Sequence, residues 1–437
     1  MPVSGAIDEI NFFDPQTNDC PYPAYEVLRN DAPVWKDPVT GMFFITRYED
    51  IRMILLDTKR FSNAVGSGAG DVGKAVMPDD PVKAKALLEA MAVEEELTKL
   101  YEEKGWVPVS SLDGLDEPRH MELRRMMDHA FRPARVRELD PYVEELSYRL
   151  VDAFVADGRC EFVAQFAVPL PLYVIGRQMG MPEDVMHQIK QWTDAWVQRM
   201  GLMLTREQRI WSAEQEIEAQ HFFQQRFEKL RREPEDNLLS DLVNNEVPEW
   251  GRPLTDQELH TEMMADLFVG GSETSTNALS GGVLLLAQHP HVWQQVKSDP
   301  DRYLENFVEE VLRLESPVQG LLRQTTEDVE LHGVTIPGGS VIKLGYAAAN
   351  RDERRFECPE QFNLEREQPR THLTFGVGSH HCLGAPLARR ELYFGFKALF
   401  DRLEDIRLID GANDFSYHPN YFLRAIRELH IEFTPAA

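Results

Sequence analysis

Cysteine is scarce in this chain: four residues in 437, at Cys20, Cys160, Cys358 and Cys382. They are widely scattered and form no CxxC pair, which excludes a disulfide framework and a zinc site built from cysteine pairs. They read as free thiols. Positive charge is also short, with 46 Lys and Arg against 73 Asp and Glu and a formal net charge of -27. Nucleic acid and anionic membrane surfaces need concentrated positive charge, so both are excluded as partners and small molecules are expected. Met1 to Pro15 has neither a basic start nor an apolar core, so no signal peptide or membrane anchor is expected and the protein reads as cytoplasmic. Linkers, internal repeats and low-complexity segments are lacking too. A composition 43% hydrophobic and 27% charged supplies one sizeable core with a soluble surface, so residues 1–437 are expected to form a single domain.

What is present centres on Phe375-Gly376-Val377-Gly378-Ser379-His380-His381-Cys382-Leu383-Gly384. One cysteine sits here in a glycine-rich turn just before a helix, whose first turn tolerates Pro386. Gly376, Gly378 and Gly384 carry no Cβ, so a flat ligand can lie against the backbone. Unpaired N–H groups and the positive end of the helix dipole favour an ionised sulfur at Cys382. Cys358, beside Pro359 in a charged loop without glycines, lacks this setting. A single cysteine in such a loop is, in most proteins, merely a small buried apolar residue, so accompanying motifs decide.

The loop's Phe, two spaced glycines, basic residue and Cys-x-Gly resemble the haem-binding loop of the cytochrome P450 superfamily, in its bacterial soluble, ferredoxin-dependent form. The resemblance implies a mainly α single-domain fold with a minor β region. It also implies haem b ligated by Cys382, with Phe375, Gly376, His380 and Gly384 as further cofactor contacts.

The rest of the chain bears on that resemblance in order. Periodicity predicts a helix over Pro21–Arg29, strand character at Val34-Trp35 and Phe43–Thr46, and a helix over Glu49–Leu56, similar to the family's small N-terminal sheet. Gly66–Gly70 reads as a flexible loop, and Asp80 with Pro81 as the cap of a helix to Lys104, stopped by Gly105. That helix is longer than the family's usual one. His120 and Arg124 stand at i and i+4, which alone describes a solvated basic face; the resemblance makes them contacts to haem propionates. The family's common arginine two residues after that histidine is Glu122 here. Long helical patterns cover Asp184–Met200 and Arg206–Arg232, interrupted by Gly201–Leu204; the resemblance makes them a lid, while their Met and Leu residues equally suit a core.

Gln257 to Gln288 is one apolar-periodic helix with Gly270-Gly271-Ser272-Glu273-Thr274 at its middle. Paired glycines inside a helix cost about 1 kcal/mol each relative to Ala, so they need a reason. Thr274 can bond back to the Gly270 carbonyl and open the helix locally. By resemblance Gly270 and Gly271 make room for haem, and Glu273 and Thr274 order water and deliver protons on the distal side. Asp266, where the family usually has an apolar residue, falls with Gly270 and Thr274 on one helical face, and with Val269 it is expected at the substrate pocket. Its partner there is either structural, such as an arginine or water, or a substrate hydroxyl or amine. Glu310 and Arg313 at i and i+3 are uninformative alone. Their position between the glycine helix and the cysteine loop resembles the family's buried structural pair, with Arg366 as the third member. Arg323 opens a run of short strands (329–331, 334–336, 341–344) and is, by resemblance, another propionate contact.

The expected activity is monooxygenation, insertion of one oxygen atom from O2 into a C–H bond of a small hydrophobic substrate by hydroxylation or dealkylation. Electrons would come from a ferredoxin and its NAD(P)H-dependent reductase, attracted to a patch formed by Arg119, Arg124, Arg125, Arg389 and Arg390. The rivals are a peroxide-using or rearranging haem-thiolate enzyme and a non-catalytic haem sensor. Neither needs Glu273 beside Thr274.

Overall fold

Capping chemistry sets the main helix boundaries. Thr205 and Thr255 each open a helix with a reciprocal capping box, to Gln208 and Glu258, starting Arg206–Arg232 and Asp256–Glu262. Asp299 accepts from the Arg302 N–H ahead of Pro300 and starts Pro300–Glu315. The computed structural model describes residues 7–65 and 81–436. The Gly66–Gly70 loop and the Asp80 cap therefore lie outside the described residues. The helix Pro81–Lys104 is present, and Gly105 follows it. The fold is mainly α with small sheets, and contacts group the chain into two compact units.

The first unit holds the chain up to Ser62, Ala130–Val174 and the chain from Gly271. Its sheet has five strands in the order Val34–Lys36, Phe43–Ile45, Val341–Leu344, Leu321–Thr325, Phe61–Ser62. Register is set by burial: Phe43 and Ile45 pair in parallel with Ile342 and Leu344, and all four sit in one apolar cluster with Ile51, Ile54 and Leu55. A one-residue slip would turn those side chains to the opposite face. Three helices then lie close together. Phe307 of Pro300–Glu315 meets Phe396 and Phe400 of Ala385–Arg402 edge-on. A Cβ on Gly282, in Gly270–Gln288, would stand 2.5 Å from the Phe396 ring, so this glycine permits close helix packing.

The second unit comprises Asn63–His129 and Ile175–Gly270. Arg206–Arg232 packs along Met186–Met200 and against Pro81–Lys104, with Leu97, Tyr101, Ala213 and Ile217 as an apolar seam. Arg199 bridges Tyr101 and the buried Glu216, while Arg206 pairs with Glu96 and Arg209 with Glu94. An irregular backbone that the sequence does not announce is a run of π turns at Met263–Val269, directly ahead of Gly270. A wider i→i+5 turn changes the angular step per residue, so the α-helical spacing that put Asp266, Gly270 and Thr274 on one face does not hold through this stretch.

Candidate functional site

Within the first unit, Gly376 and Gly378 turn the cysteine loop, with φ of +63° and +82°. A side chain at Gly378 would place Cβ 2.9 Å from the Leu55 carbonyl oxygen, so glycine is required there on both conformational and steric grounds. The loop closes when the Cys382 N–H donates to the Phe375 carbonyl at 2.8 Å. Gly384 and Pro386 then begin the helix Ala385–Arg402. Cys382 is exposed, as are Cys20 and Cys358, whereas Cys160 is buried. Burial pushes the Cys160 thiol up to about 12, which leaves it inert.

The stretch leading into the loop is held by hydrogen bonds that sequence spacing does not reveal. Asn350 accepts from the Leu373 N–H at 2.6 Å and donates to the Thr374 and Ser316 hydroxyls. Thr374 donates to the Leu312 carbonyl. Glu309 accepts from Arg389 at 2.7 and 3.1 Å and lies 2.9 Å from His372 Nε2. The one available signal for Glu309 was an acidic pair, Glu309-Glu310, inside the apolar run Phe307-Val308 to Val311-Leu312.

Glu310, Arg313 and Arg366 do come together. Arg313 makes two bonds to the Glu310 carboxylate at 2.7 and 2.9 Å, and Arg366 Nε reaches it at 2.8 Å. Glu310 and Arg313 are fully buried. Burial opposes charge on Glu310, but the Arg313 hydrogen bonds and charge, the Asn363 N–H and Arg366 outweigh it and hold its carboxyl below the usual range. The remaining Arg313 donors go to the carbonyls of Asn350, Pro359 and Gln361. The cluster thereby fixes the loops ahead of Cys382. Arg323 is buried, donates to the Leu322 carbonyl and bonds the Tyr346 hydroxyl. His380 is half-buried.

Glu273 is buried and Thr274 half-buried on the helix Gly270–Gln288. The next residue reveals a group missed in the sequence: Ser275 donates to Glu391 at 2.6 Å. Glu391 is buried, and its Oε1 meets no hydrogen-bond donor among the described residues. Burial, offset only in part by Ser275, pushes it up to about 7.

In the second unit His120 is buried against Glu117 at 3.2 Å, and burial lowers its pKa despite that carboxylate. Arg124 pairs with Asp128 and lies near enough for its charge to lower His120 further. Glu122, in place of the expected arginine, accepts from the Trp250 indole at 2.7 Å. Gly270 is exposed, and an added Cβ would find nothing nearer than the Ala265 carbonyl oxygen at 3.6 Å. Unlike Gly282, it makes space rather than a packing contact. Val269 is buried. Asp266 interacts with another acid, Glu262, rather than with an arginine; Glu262 itself accepts from the Leu112 N–H at 2.8 Å. Burial first, then the nearby Asp113 charge, pushes Asp266 up to about 7. Burial and Asp266 raise Glu262 well above the carboxylate range. Burial thus favours the protonated form of both acids.

The expected arginine patch is neutralised within each unit. Arg119 pairs with Glu258, Arg125 with Glu249, Arg389 with Glu309 and Arg390 with Asp140. Arg132, the N-cap of the helix Pro133–Glu138, and Arg137 within it are exposed cations with no ion pair among the described residues, and that helix packs against Ala385–Arg402.

The sequence profile of the cytochrome P450 family matches residues 183–406. The chain is 36% identical over 321 residues to the polyketide biosynthesis cytochrome P450 PksS of Bacillus subtilis (strain 168), covering 73% of this chain and 76% of that protein. It is 29% identical over 413 residues to a steroid C26-monooxygenase of Mycobacterium tuberculosis, covering 94% of each. The solved structure of P450BioI in complex with hexadec-9Z-enoic acid ligated acyl carrier protein matches with a TM-score of 0.80 at 28% identity, over 96% of this chain and 99% of that one.

Proposed function

Because this chain belongs to the cytochrome P450 family, we propose roles for its own residues in the reaction that family performs. The protein is a haem-thiolate monooxygenase that binds haem b. The bound haem supplies oxygen activation, with a thiolate ligand donating electron density that favours O–O cleavage. The exposed residue Cys382, on a turn whose glycines present no side chain, is the observation that carries this reading.

In this proposal Cys382 is the ligand, and Phe375, Gly376, Gly384 and Gly271 line the cofactor. His120, Arg124, Arg323 and His380 hold its propionates. Glu273 and Thr274 order water and pass protons to the reacting oxygen, since a carboxyl beside a hydroxyl can both supply and relay a proton. Glu310, Arg313 and Arg366 are structural, and residues 1–437 work as one catalytic domain. The substrate is a small hydrophobic molecule hydroxylated or dealkylated at a C–H bond. The names of the relatives support this, each pointing to a largely hydrocarbon skeleton: a polyketide, a steroid, a fatty acid. Val269 and Asp266 face that substrate, Asp266 receiving its hydroxyl or amine. Asp266 Oδ2 is buried and meets no hydrogen-bond donor among the described residues, which supports this assignment.

Electrons come from a redox partner, proposed to be an acidic ferredoxin with its NAD(P)H-dependent reductase. Arg132 and Arg137 provide the docking charge. Turnover under isotopically heavy oxygen gas tests the reaction. The product should gain a single heavy oxygen atom and form only with ferredoxin, reductase and NAD(P)H. Equal turnover with hydrogen peroxide alone would instead establish the peroxide-using reading.

A further inference from the structure

Glu309 is the centre of a buried polar cluster that the reaction scheme above leaves unused. Its carboxylate, 2% exposed, accepts both forks of Arg389. His372, also buried, meets its other side through Nε2. Burial opposes charge on Glu309, but the His372 and Arg389 hydrogen bonds and the Arg389 charge pull its carboxyl down to about 2. Burial lowers the His372 pKa despite Glu309, so the ring is neutral. It then donates from Nε2 to Glu309 and accepts the Thr374 N–H at Nδ1, 3.4 Å away. Arg370, itself largely exposed, also reaches the Glu309 carboxylate at 3.2 Å, so the inner charges are those of Arg389 and Glu309, with a solvent-facing second cation and every ring nitrogen used.

Its outlet is the cysteine loop. The Arg389 guanidinium lies 4.5 Å from the centroid of the Phe375 ring, a cation–π arrangement. The Phe375 carbonyl in turn receives the Cys382 N–H. Two rigid connections therefore join the helix Pro300–Glu315 to the cysteine: Glu309 to Arg389 to the Phe375 ring, and Glu309 to His372 to the Thr374 backbone. A neutral aromatic residue alone would fix the ring. An ion pair there adds a charge balance beside the residue whose carbonyl receives the Cys382 N–H.

We propose that Glu309 and Arg389 are positioning residues that hold Phe375 against the Cys382 turn, and that their charge balance sets how strongly the Cys382 thiolate donates to haem iron. The inference rests on the haem-thiolate reading. Removing the Glu309 charge leaves Arg389 unopposed, which stabilises the thiolate's electrons on sulfur and favours ferrous iron. Removing the Arg389 charge leaves Glu309 opposed only by the solvent-screened Arg370 and favours ferric iron. A purely structural cluster would move both variants the same way, or neither.

The test is a spectroelectrochemical titration of the haem-loaded protein, with Glu309→Gln, Arg389→Gln and the charge-conserving Arg389→Lys. At fixed poise the ferrous-to-ferric ratio should rise about threefold or more in Glu309→Gln, fall comparably in Arg389→Gln and stay near the parent in Arg389→Lys. Shifts of the same sign in both Gln variants, or a Lys variant indistinguishable from Arg389→Gln, overturn the proposal. Should Glu309→Gln fail to fold, the Arg389 pair alone decides by the same criterion. A parent protein lacking the red-shifted band with carbon monoxide would instead defeat the thiolate reading itself, so the two failures are separable.

Discussion

Thr274 and Glu391 show how one hydroxyl and one carboxyl are assigned different work by their surroundings. Thr274→Ala should leave substrate-induced spectral shifts intact while product per NAD(P)H falls about tenfold or more and peroxide rises, because oxygen is activated without orderly protonation. Unchanged coupling, measured as product against peroxide, would refute the relay. Glu391 is held by burial at about 7, above its ordinary 4.5. Between those values the folded protein keeps a proton that the unfolded chain has lost, so this group's contribution to stability is full below pH 4.5 and declines until about pH 7. Glu391→Gln, which mimics the protonated acid, should remove that decline. Relative to the parent it should gain on the order of 3 kcal/mol between pH 4.5 and 8 in melting experiments; parallel pH profiles would contradict the assignment. Glu309 runs the opposite way: its folded pKa of about 2 gives stability present above pH 4.5 and lost as pH falls toward 2.

At the scale of elements, two glycines in one helix should respond in opposite directions. Gly282→Ala forces Cβ to 2.5 Å from Phe396 and 3.0 Å from Val311, and such overpacking costs about 1–3 kcal/mol. Gly270→Ala would make only ordinary contact, with the Ala265 carbonyl oxygen at 3.6 Å, so the haem-free chain should gain up to about 1 kcal/mol of helix stability while retaining haem less well. Melting curves paired with haem-release rates distinguish them; loss of stability in both would mean that Gly270 is a packing glycine too. Sequence reading placed these elements well wherever the determinant was local. The strands Val329–Leu331, Val334–Ile336 and Val341–Leu344 lie at the expected residues, as do the helix Pro81–Lys104 and the turn glycines around Cys382. What it missed was non-local: Glu391 finds Ser275 across 116 residues, and Glu309 finds Arg389 across 80. The π turns at Met263–Val269 have no glycine or proline to announce them, and they alter the face on which Asp266 was placed.

Over the whole molecule, the charge of -27 coexists with arginines mostly spent on internal pairs, which is why five basic residues read from sequence do not form a free patch. Reversing Arg132 and Arg137 to Glu should slow ferredoxin-dependent turnover about tenfold at low ionic strength and flatten its salt dependence, with product pattern unchanged. An effect confined to substrate affinity would contradict docking there. The central claim, that Cys382, one of three exposed cysteines, is the iron ligand, is tested most directly by the absorption spectrum of the reduced protein under carbon monoxide. The parent and Cys358→Ser should show the red-shifted Soret band of a thiolate-ligated haem, and Cys382→Ser should not. Persistence of the band in Cys382→Ser, with its loss in Cys358→Ser, would contradict the account.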